Sequence, residues 1–446
     1  MKYIPATAAE RERMLAAAGV RSMEDLFRDI PEEARLTRPL DLPPALADPD
    51  LLAHVRELAD RNTDCDRLAC FLGAGAYDHF VPSTVAHLAL RPEFLTAYTP
   101  YQAEIMQGEL QAIYEYQSMM CELTGMDVAN ASMYDGASAT GEAACMAVDL
   151  TKRSELLIST AVHPEYRQVL RTYTGHLPIT VRELPARGLT SVEAARAAIT
   201  DATAALIVQS PNFFGAIEQG EALAQAAHDK GALFVVAIAE PISLGILRPP
   251  GEYGADIVIG EGQSLGNALN FGGPYLGVIA TREQYVRRMP GRLVGRTVDT
   301  AGRPGYVLTL QTREQHIRRA KATSNICTNE SLNALIAAVY LATLGRHGVA
   351  HVAESCARKA HYARERITGL RGYELAFDAP TFNEFTVRCP MPPAEINRRL
   401  LTHGILGGLE LGRFYPEYDD CWLLCVTEQR SRKEIDRLVD HLEALR

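Results

Sequence analysis

Between residues 156 and 280 the chain repeats one pattern. Short apolar runs, LLIST (156–160), AALIVQ (204–209), LFVVAI (233–238), DIVI (256–259) and YLGVIA (275–280), are mostly separated by helical stretches such as SVEAARAAI and GEALAQAAHDK. Strands that alternate with helices require right-handed crossovers, so they build a mostly parallel sheet covered by helices on both faces, an α/β fold. From Glu384 the theme returns on a smaller scale: EFTVRC, PAEINRRLLTHG, CWLLCVTE, then SRKEIDRLVDHLEAL. That reads as a second, smaller α/β unit behind a long helix beginning near Asn329. Ahead of the repeats, short helical patterns broken by Pro31, Pro39, Pro43 and Pro44 suit an arm wrapping a larger body. The expected organisation is an N-terminal helical arm (1–65), a large α/β domain (66–330), and the long helix with a small C-terminal α/β domain (331–446).

Composition narrows the function classes. An apolar fraction of 47% and a charged fraction of 22% are those of a soluble globular chain. No apolar run approaches the roughly 18 residues of a membrane helix, so no membrane role is expected. The N-terminus MKYIPATAAERERM lacks the apolar stretch of a secretory signal, which points to the cytoplasm. The nine cysteines are scattered, and the close pair Cys421 and Cys425 lies in a strand-like run that matches no zinc spacing; buried free thiols are expected. A formal charge of −10 argues against nucleic acid. The segment 282–321 is a basic exception, with Arg282, Arg287, Arg288, Arg292, Arg296, Arg313, Arg318, Arg319 and Lys321. It reads either as a solvated face or as a docking patch for an acidic partner.

From Tyr101 to Leu123, Met106, Leu110, Ile113, Met120 and Leu123 fall at helical spacing between Pro100 and Gly125, an amphipathic helix. Two loops could carry chemistry. YDGASATGEAACMAVDL places Gly136, Ser138, Thr140 and Gly141 directly before a helix, where free backbone amides and small side chains can cradle a phosphate. A tight loop with Thr140 near the cap is the alternative. FLGAGAYDHF has Asp78 where a dinucleotide fingerprint wants its third glycine, and no strand-turn-helix context, so it is not a Rossmann loop.

A third stretch, GEGQSLGNALNFGGP, follows the strand-like ADIVIG and ends on Gly272, Gly273 and Pro274. With FLGAGAYDHFVPS (71–83), the segment 97–143 and GRLVGRTVDTAGRPGYVLTLQTREQHIRRAKATSNICTN (from 291), it resembles the P-protein of the glycine cleavage system. The resemblance is to the first (alpha) subunit of the two-subunit bacterial glycine decarboxylase, within the pyridoxal-phosphate fold-type I superfamily. It covers nearly the whole chain and implies an aspartate aminotransferase-like fold.

The resemblance also implies what this chain lacks. The family's reaction needs a Schiff-base lysine in a loop of this form, and counting back from Pro274 the position holds Gln263, whose amide cannot form an imine. The six lysines, Lys2, Lys152, Lys230, Lys321, Lys359 and Lys433, fall by pattern in an arm, a helix or a helix end. The aspartate that would pair with the pyridine nitrogen is replaced by Ala237, with Glu240 three residues on as a displaced acid or a plain strand-end carboxylate. His163 resembles the residue that stacks on the cofactor ring. Gly136, Ser138, Thr140, His163, Glu240 and Gln263 are therefore expected to form a vestigial site.

Fold-type I sites are completed across a dimer interface. Thr323, Ser324, Asn325, Thr328, Gly272 and Gly273 are expected to reach pyridoxal phosphate held by the second (beta) subunit. An N-cap cluster for the following helix is the alternative for the first four. Tyr77, Asp78, His79, Tyr98, Thr99, Tyr101 and Gln102 are expected to wall the substrate and lipoyl pocket. The implied partners are glycine dehydrogenase subunit 2 (beta) and the lipoylated H-protein. Two rivals remain at this point: a self-sufficient pyridoxal enzyme using an unexpected lysine, and a regulatory or scaffolding pseudoenzyme. No metal is expected.

Overall fold

The structure, a computed structural model, describes residues 6–96 and 99–445. Its centre is a seven-stranded sheet. From one edge the strands run Val128–Ala129, Gly277–Thr281, Ile257–Glu261, Leu233–Ile238, Thr203–Gln209, Glu155–Ser159 and Thr180–Leu184. Gly277–Thr281 is antiparallel to both neighbours, and the remaining pairs are parallel. Side chains alternate across the pleat. Leu157, Leu206, Val208, Phe234, Val236 and Val258 enter one core, and Leu156, Ile158, Ile207, Val235, Ala237, Ile257 and Ile259 enter the other. Burial on both faces is why these strands read as unbroken apolar runs.

The edge strand Thr180–Leu184 escapes that signature. Its residues are largely exposed, and charged groups interrupt it. A hairpin of Leu293–Val298 and Pro304–Thr309 also carries no buried run along most of its length. The amphipathic helix expected from Tyr101 begins only at Gln107 and runs for 18 residues to Thr124, closed by Gly125 in the left-handed region (φ 67°). The residues before it form turns.

Four antiparallel strands, in the order Glu374–Leu375, Glu384–Arg388, Cys421–Cys425 and Leu409–Glu410, make the small sheet near the C-terminus. The helix Ser331–Thr368 joins the two regions. Ala334, Ala337, Tyr340 and Leu341 pack in the large core, while Ala360, Ala363 and Ile367 pack with Trp422, Leu424 and Leu438 in the small one. Gly345 breaks the helix with φ 61° and ψ 178°. By length and composition this helix could cross a membrane, but it is packed as a core helix of both regions.

Contacts divide the chain into Met1–Thr63 and Asp64–Arg446. In the first unit no described residue is buried, and the helix Asp48–Asp60 exposes Leu51, Leu52, Val55 and Leu58. The chain just past residue 66 packs with the C-terminal region. Ala69–Cys70 pairs in parallel with Ile405–Leu406, and Phe71 lies in the small core, so this part of the chain belongs with the C-terminal region.

Gly215 couples the two sheets. It has φ 87°, and a Cβ there would lie 2.3 Å from the Glu384 carbonyl oxygen. Gly215→Ala is expected to destabilise the chain by about 1–3 kcal/mol, the cost of strained left-handed backbone, read as a lowered urea midpoint.

Candidate functional site

Gln263 lies just beyond the strand Ile257–Glu261 and is 2% exposed. Its amide oxygen and both amide hydrogens are engaged. Oε1 accepts the Tyr77 N–H at 2.8 Å, and Nε2 donates to the carbonyls of Tyr77 (3.1 Å) and Asn267 (2.7 Å). Leaving one of these buried groups unmet would cost about 1–3 kcal/mol, so the glutamine is a structural clamp on the Tyr77 backbone.

The same segment meets two other residues of the expected vestigial site. His163 donates from Nε2 to the Ala74 carbonyl (2.9 Å) while Nδ1 accepts the Glu165 N–H (3.2 Å), which fixes its neutral tautomer. Burial holds its pKa down. Its ring stacks on Tyr166, with centroids 4.9 Å apart, and meets the edge of Phe213. Glu240 contacts His79 Nε2 at 2.8 Å and accepts from Ser264 Oγ and the Ile242 N–H. The strip Gly73–His79 thus gives each of Gln263, His163 and Glu240 a partner from this chain.

Close packing and one strained residue hold that strip. Ala74 has φ 63°, a region L-residues seldom adopt; its N–H donates to Glu384 Oε1 at 2.6 Å. Added Cβ atoms at Gly73 and Gly75 would come within 2.5 Å of Glu384 and 2.8 Å of His163, so only glycine fits beside them. Tyr77 is buried and donates to Glu384 Oε2 at 2.9 Å, and Asp78 pairs with Arg430 at 2.8 Å. Burial opposes charge on the buried His79, but the Glu240 charge and the hydrogen bonds to Cys356, Glu240 and Glu428 together outweigh it and raise the ring's pKa well above its ordinary value.

At the start of the helix Gly136–Thr151, where an anion cradle is expected, the Gly136 and Ser138 N–H groups already have partners. Asp135, not Thr140, caps it: the Ser138 N–H donates to Asp135 Oδ1 at 2.7 Å, and Ser138 Oγ returns the contact in a capping box. Thr140 Oγ1 donates to the Gly136 carbonyl inside the helix. The Gly136 N–H donates to Glu261 Oε2 at 3.1 Å. Glu261 also accepts from the N–H groups of Leu276 (2.9 Å) and Gln263 (3.2 Å). Burial pushes its pKa up to about 8, with those donors restraining the rise.

The residues expected to face a partner divide into two groups. Tyr77 and His79 lie in the interior, so in this chain they are props of the core, not walls open to solutes. Tyr98 lies outside the described residues. Thr99, Gln102, Asn325 and Thr328 are exposed, and Tyr101, Thr323 and Ser324 half-buried. Gly272 and Gly273, with φ 102° and 108°, shape a loop whose neighbour Phe271 is 93% exposed.

These segments converge on the start of the long helix. Asn333 Nδ2 donates to the carbonyls of Pro274 and Tyr275, and Tyr101 Oη donates to Asn329 Oδ1. Arg292 stacks over the Tyr101 ring at 4.2 Å and reaches the Cys327 carbonyl. Asn329 instead of a threonine tethers this turn, through the Ala131 carbonyl and Ser132 Oγ. Thr323, Ser324, Asn325 and Thr328 do not cap the helix, whose N-cap is Glu330 without a side-chain bond.

A family model described as glycine cleavage system P-protein matches residues 1–442. The chain belongs to the P-protein family. It is 54% identical to a probable glycine dehydrogenase (decarboxylating) subunit 1 of Desulforamulus reducens over 446 residues, all of both chains. The counterpart in Carboxydothermus hydrogenoformans is also 54% identical, over 99% of each chain. A crystal structure of glycine decarboxylase (P-protein) in inhibitor-bound form is 44% identical, with a TM-score of 0.91 over the full length of both chains. Sphingosine-1-phosphate lyase of Burkholderia pseudomallei, 17% identical with a TM-score of 0.67 over 93% of this chain and 94% of its own, shares the fold. The fold is that of the type I pyridoxal-phosphate enzymes, and within its family this P-protein is of the subunit 1 kind.

Pyridoxal phosphate does not fit this P-protein's own site. The expected lysine is a saturated glutamine, the Gly136 and Ser138 N–H groups are taken, and the strip Gly73–His79 covers His163 and Glu240. Among the described lysines, Lys359 is partly buried, and its Nζ donates to the Glu428 carbonyl. Lys152, Lys230, Lys321 and Lys433 are exposed. The basic segment is also partly consumed internally. Arg313 is buried against the carbonyls of Met289 and Gly291, Arg292 pairs with Glu314, Arg288 pairs with Asp149, and Arg282 bonds the Ala255 and Gly251 carbonyls.

Glu261, Glu384 and Glu428 carry much of this arrangement without any motif in the sequence; the available signal was a lone acid beside an apolar run, as in DIVIGE and LLCVTE. Two outcomes follow for the isolated chain. Gln263→Lys, which puts an ammonium among groups arranged for an amide, is expected to lower the melting temperature and still give no borohydride-fixed pyridoxyl adduct, checked by intact mass. Glu261 binds its proton more tightly when folded, because its pKa rises from 4.5 to about 8. Its stabilisation is therefore complete below the unfolded value and lost as pH rises through about 8. The urea midpoint is expected to fall across that window, and Glu261→Gln to flatten the fall.

Proposed function

We propose that this chain is the subunit of a glycine decarboxylase that forms no Schiff base, and that it completes a pyridoxal-phosphate site held by the second (beta) subunit. The observation that carries the reading is the saturated Gln263 amide inside a pocket filled by the chain's own groups, in a family named for decarboxylating glycine. The cofactor supplies the electron sink for loss of carbon dioxide, and this chain's residues do other work. Phe271, Gly272 and Gly273 present an exposed loop, and Thr323, Ser324, Asn325 and Thr328 offer hydroxyl and amide donors to the partner's phosphate. Thr99, Tyr101 and Gln102 border the path to the partner's substrate. Excluding water there limits protonation of the developing carbanion by solvent.

In this reading the aminomethyl group passes to the lipoyl arm of H-protein, and the complex works in the cytoplasm. The exposed Arg318, Arg319 and Lys321 offer an acidic carrier its electrostatic steering. The arm's exposed Leu51, Leu52, Val55 and Leu58 suit embrace of the second subunit. Taken alone the chain is inactive. Mixing it with the second subunit is expected to raise glycine–bicarbonate exchange by roughly tenfold or more, about 1.4 kcal/mol of barrier, and Phe271→Asp to remove most of that gain. An unchanged exchange rate on mixing would leave the scaffolding role.

A further inference from the structure

His79, Cys356 and Glu428 offer a nitrogen, a sulfur and an oxygen within 4.8 Å of one another. They come from three places in the fold: the Gly73–His79 strip, the long helix, and the loop after the strand Cys421–Cys425. His79 and Cys356 are buried, and the Glu428 side chain is 14% exposed. Two protons converge on one atom. Glu428 Oε2 receives His79 Nδ1 at 2.6 Å and Cys356 Sγ at 3.3 Å, while Oε1 is committed to the Phe80 N–H at 2.7 Å.

Behind the ring stands Glu240, 2.8 Å from His79 Nε2 and itself held by Ser264 and Ile242. A carboxylate on the far nitrogen is the arrangement that fixes the tautomer and orientation of a metal-ligating histidine. The Tyr340 hydroxyl is buried without a hydrogen-bond partner, and it lies close enough to feel the charges of His79, Glu428, Glu240 and Cys356. Lys359 anchors the Glu428 backbone through its carbonyl.

We propose that His79 Nδ1, Cys356 Sγ and Glu428 Oε2 form a site for one tetrahedral divalent cation, zinc by its donor set, with solvent on the Glu428 side as fourth ligand. A mixed nitrogen, sulfur and oxygen set suits zinc, whereas calcium and magnesium require oxygen. The cation replaces two protons, one from the imidazolium and one from the thiol, so the net charge of the buried group is unchanged and no new counter-charge is needed. Its role is a cross-link that ties the strip over Gln263, His163 and Glu240 to the long helix and the small sheet.

The test uses the full-length chain, expressed with its second subunit, stripped with chelator and titrated with cobalt(II). One equivalent is expected to give a thiolate charge-transfer band and the visible bands of tetrahedral cobalt, displaced by zinc, and zinc is expected to raise the melting temperature. Cys356→Ser keeps a donor to Glu428 and should lose the charge-transfer band. Glu240→Gln should keep the band with roughly 10–100-fold weaker binding. Glu428→Gln, which still accepts from Phe80, serves as a second ligand variant, with circular dichroism reporting that each variant is folded. Absence of the band in the unaltered chain overturns the proposal. So does a band that survives in Cys356→Ser, which would assign the metal to other thiols such as the exposed Cys327.

Discussion

The structure depends on one short strip of backbone, Gly73–His79, and on its being satisfied at each step. Ala74 meets His163 and Glu384, Tyr77 meets Gln263 and Glu384, and His79 meets Glu240 and Glu428. Each contact involves a buried polar group, whose cost is recovered only when every donor and acceptor finds its partner. Several short regions of chain far apart in sequence therefore become one polar network. The protein itself supplies those partners.

Four carboxyl groups in the interior follow from that arrangement. Glu240 and Glu428 bracket one imidazole, Glu384 receives an N–H and a phenol, and Glu261 sits at the start of the Gly136–Thr151 helix. The first pair shares one ring, and its hydrogen bond and charge hold the Glu428 carboxyl below its ordinary value against the opposing effect of burial. Glu384 and Glu261 lack a cation, and burial pushes them up to about 7 and about 8. Electrostatics thus divides the site into a charged side around His79 and a side that holds protons near neutrality.

Much of this was legible before any coordinates. The runs at 204–209 and 233–238 became strands nearly residue for residue, because burial on both faces leaves no polar residue to blur them. Gln263 was legible as a loss, since an amide differs in kind from an amine. The helix start was not: Tyr101, Met106 and Leu110 keep helical spacing, but the chain makes turns until Gln107, where Tyr101 is drawn to Asn329. The strand Thr180–Leu184 was hidden by its exposure at the sheet edge. Thr140 had the chemistry of a cap, yet Asp135, one residue ahead of the helix, took the position. What replaced the cofactor was least visible, because Glu384 lies 310 residues from Ala74 and Glu428 lies 349 from His79, and nothing in a linear reading connects them.

A pocket packed with its own side chains draws no stability from an organic ligand bound inside it. On the proposed reading, a subunit that holds the vitamin would loosen when it runs short, whereas this one, whose polar groups are met from within, would keep its shape. One half of the proposed assembly would then be set by nutrition and the other not, the second standing as a ready-made mould for whichever copies of the first are loaded.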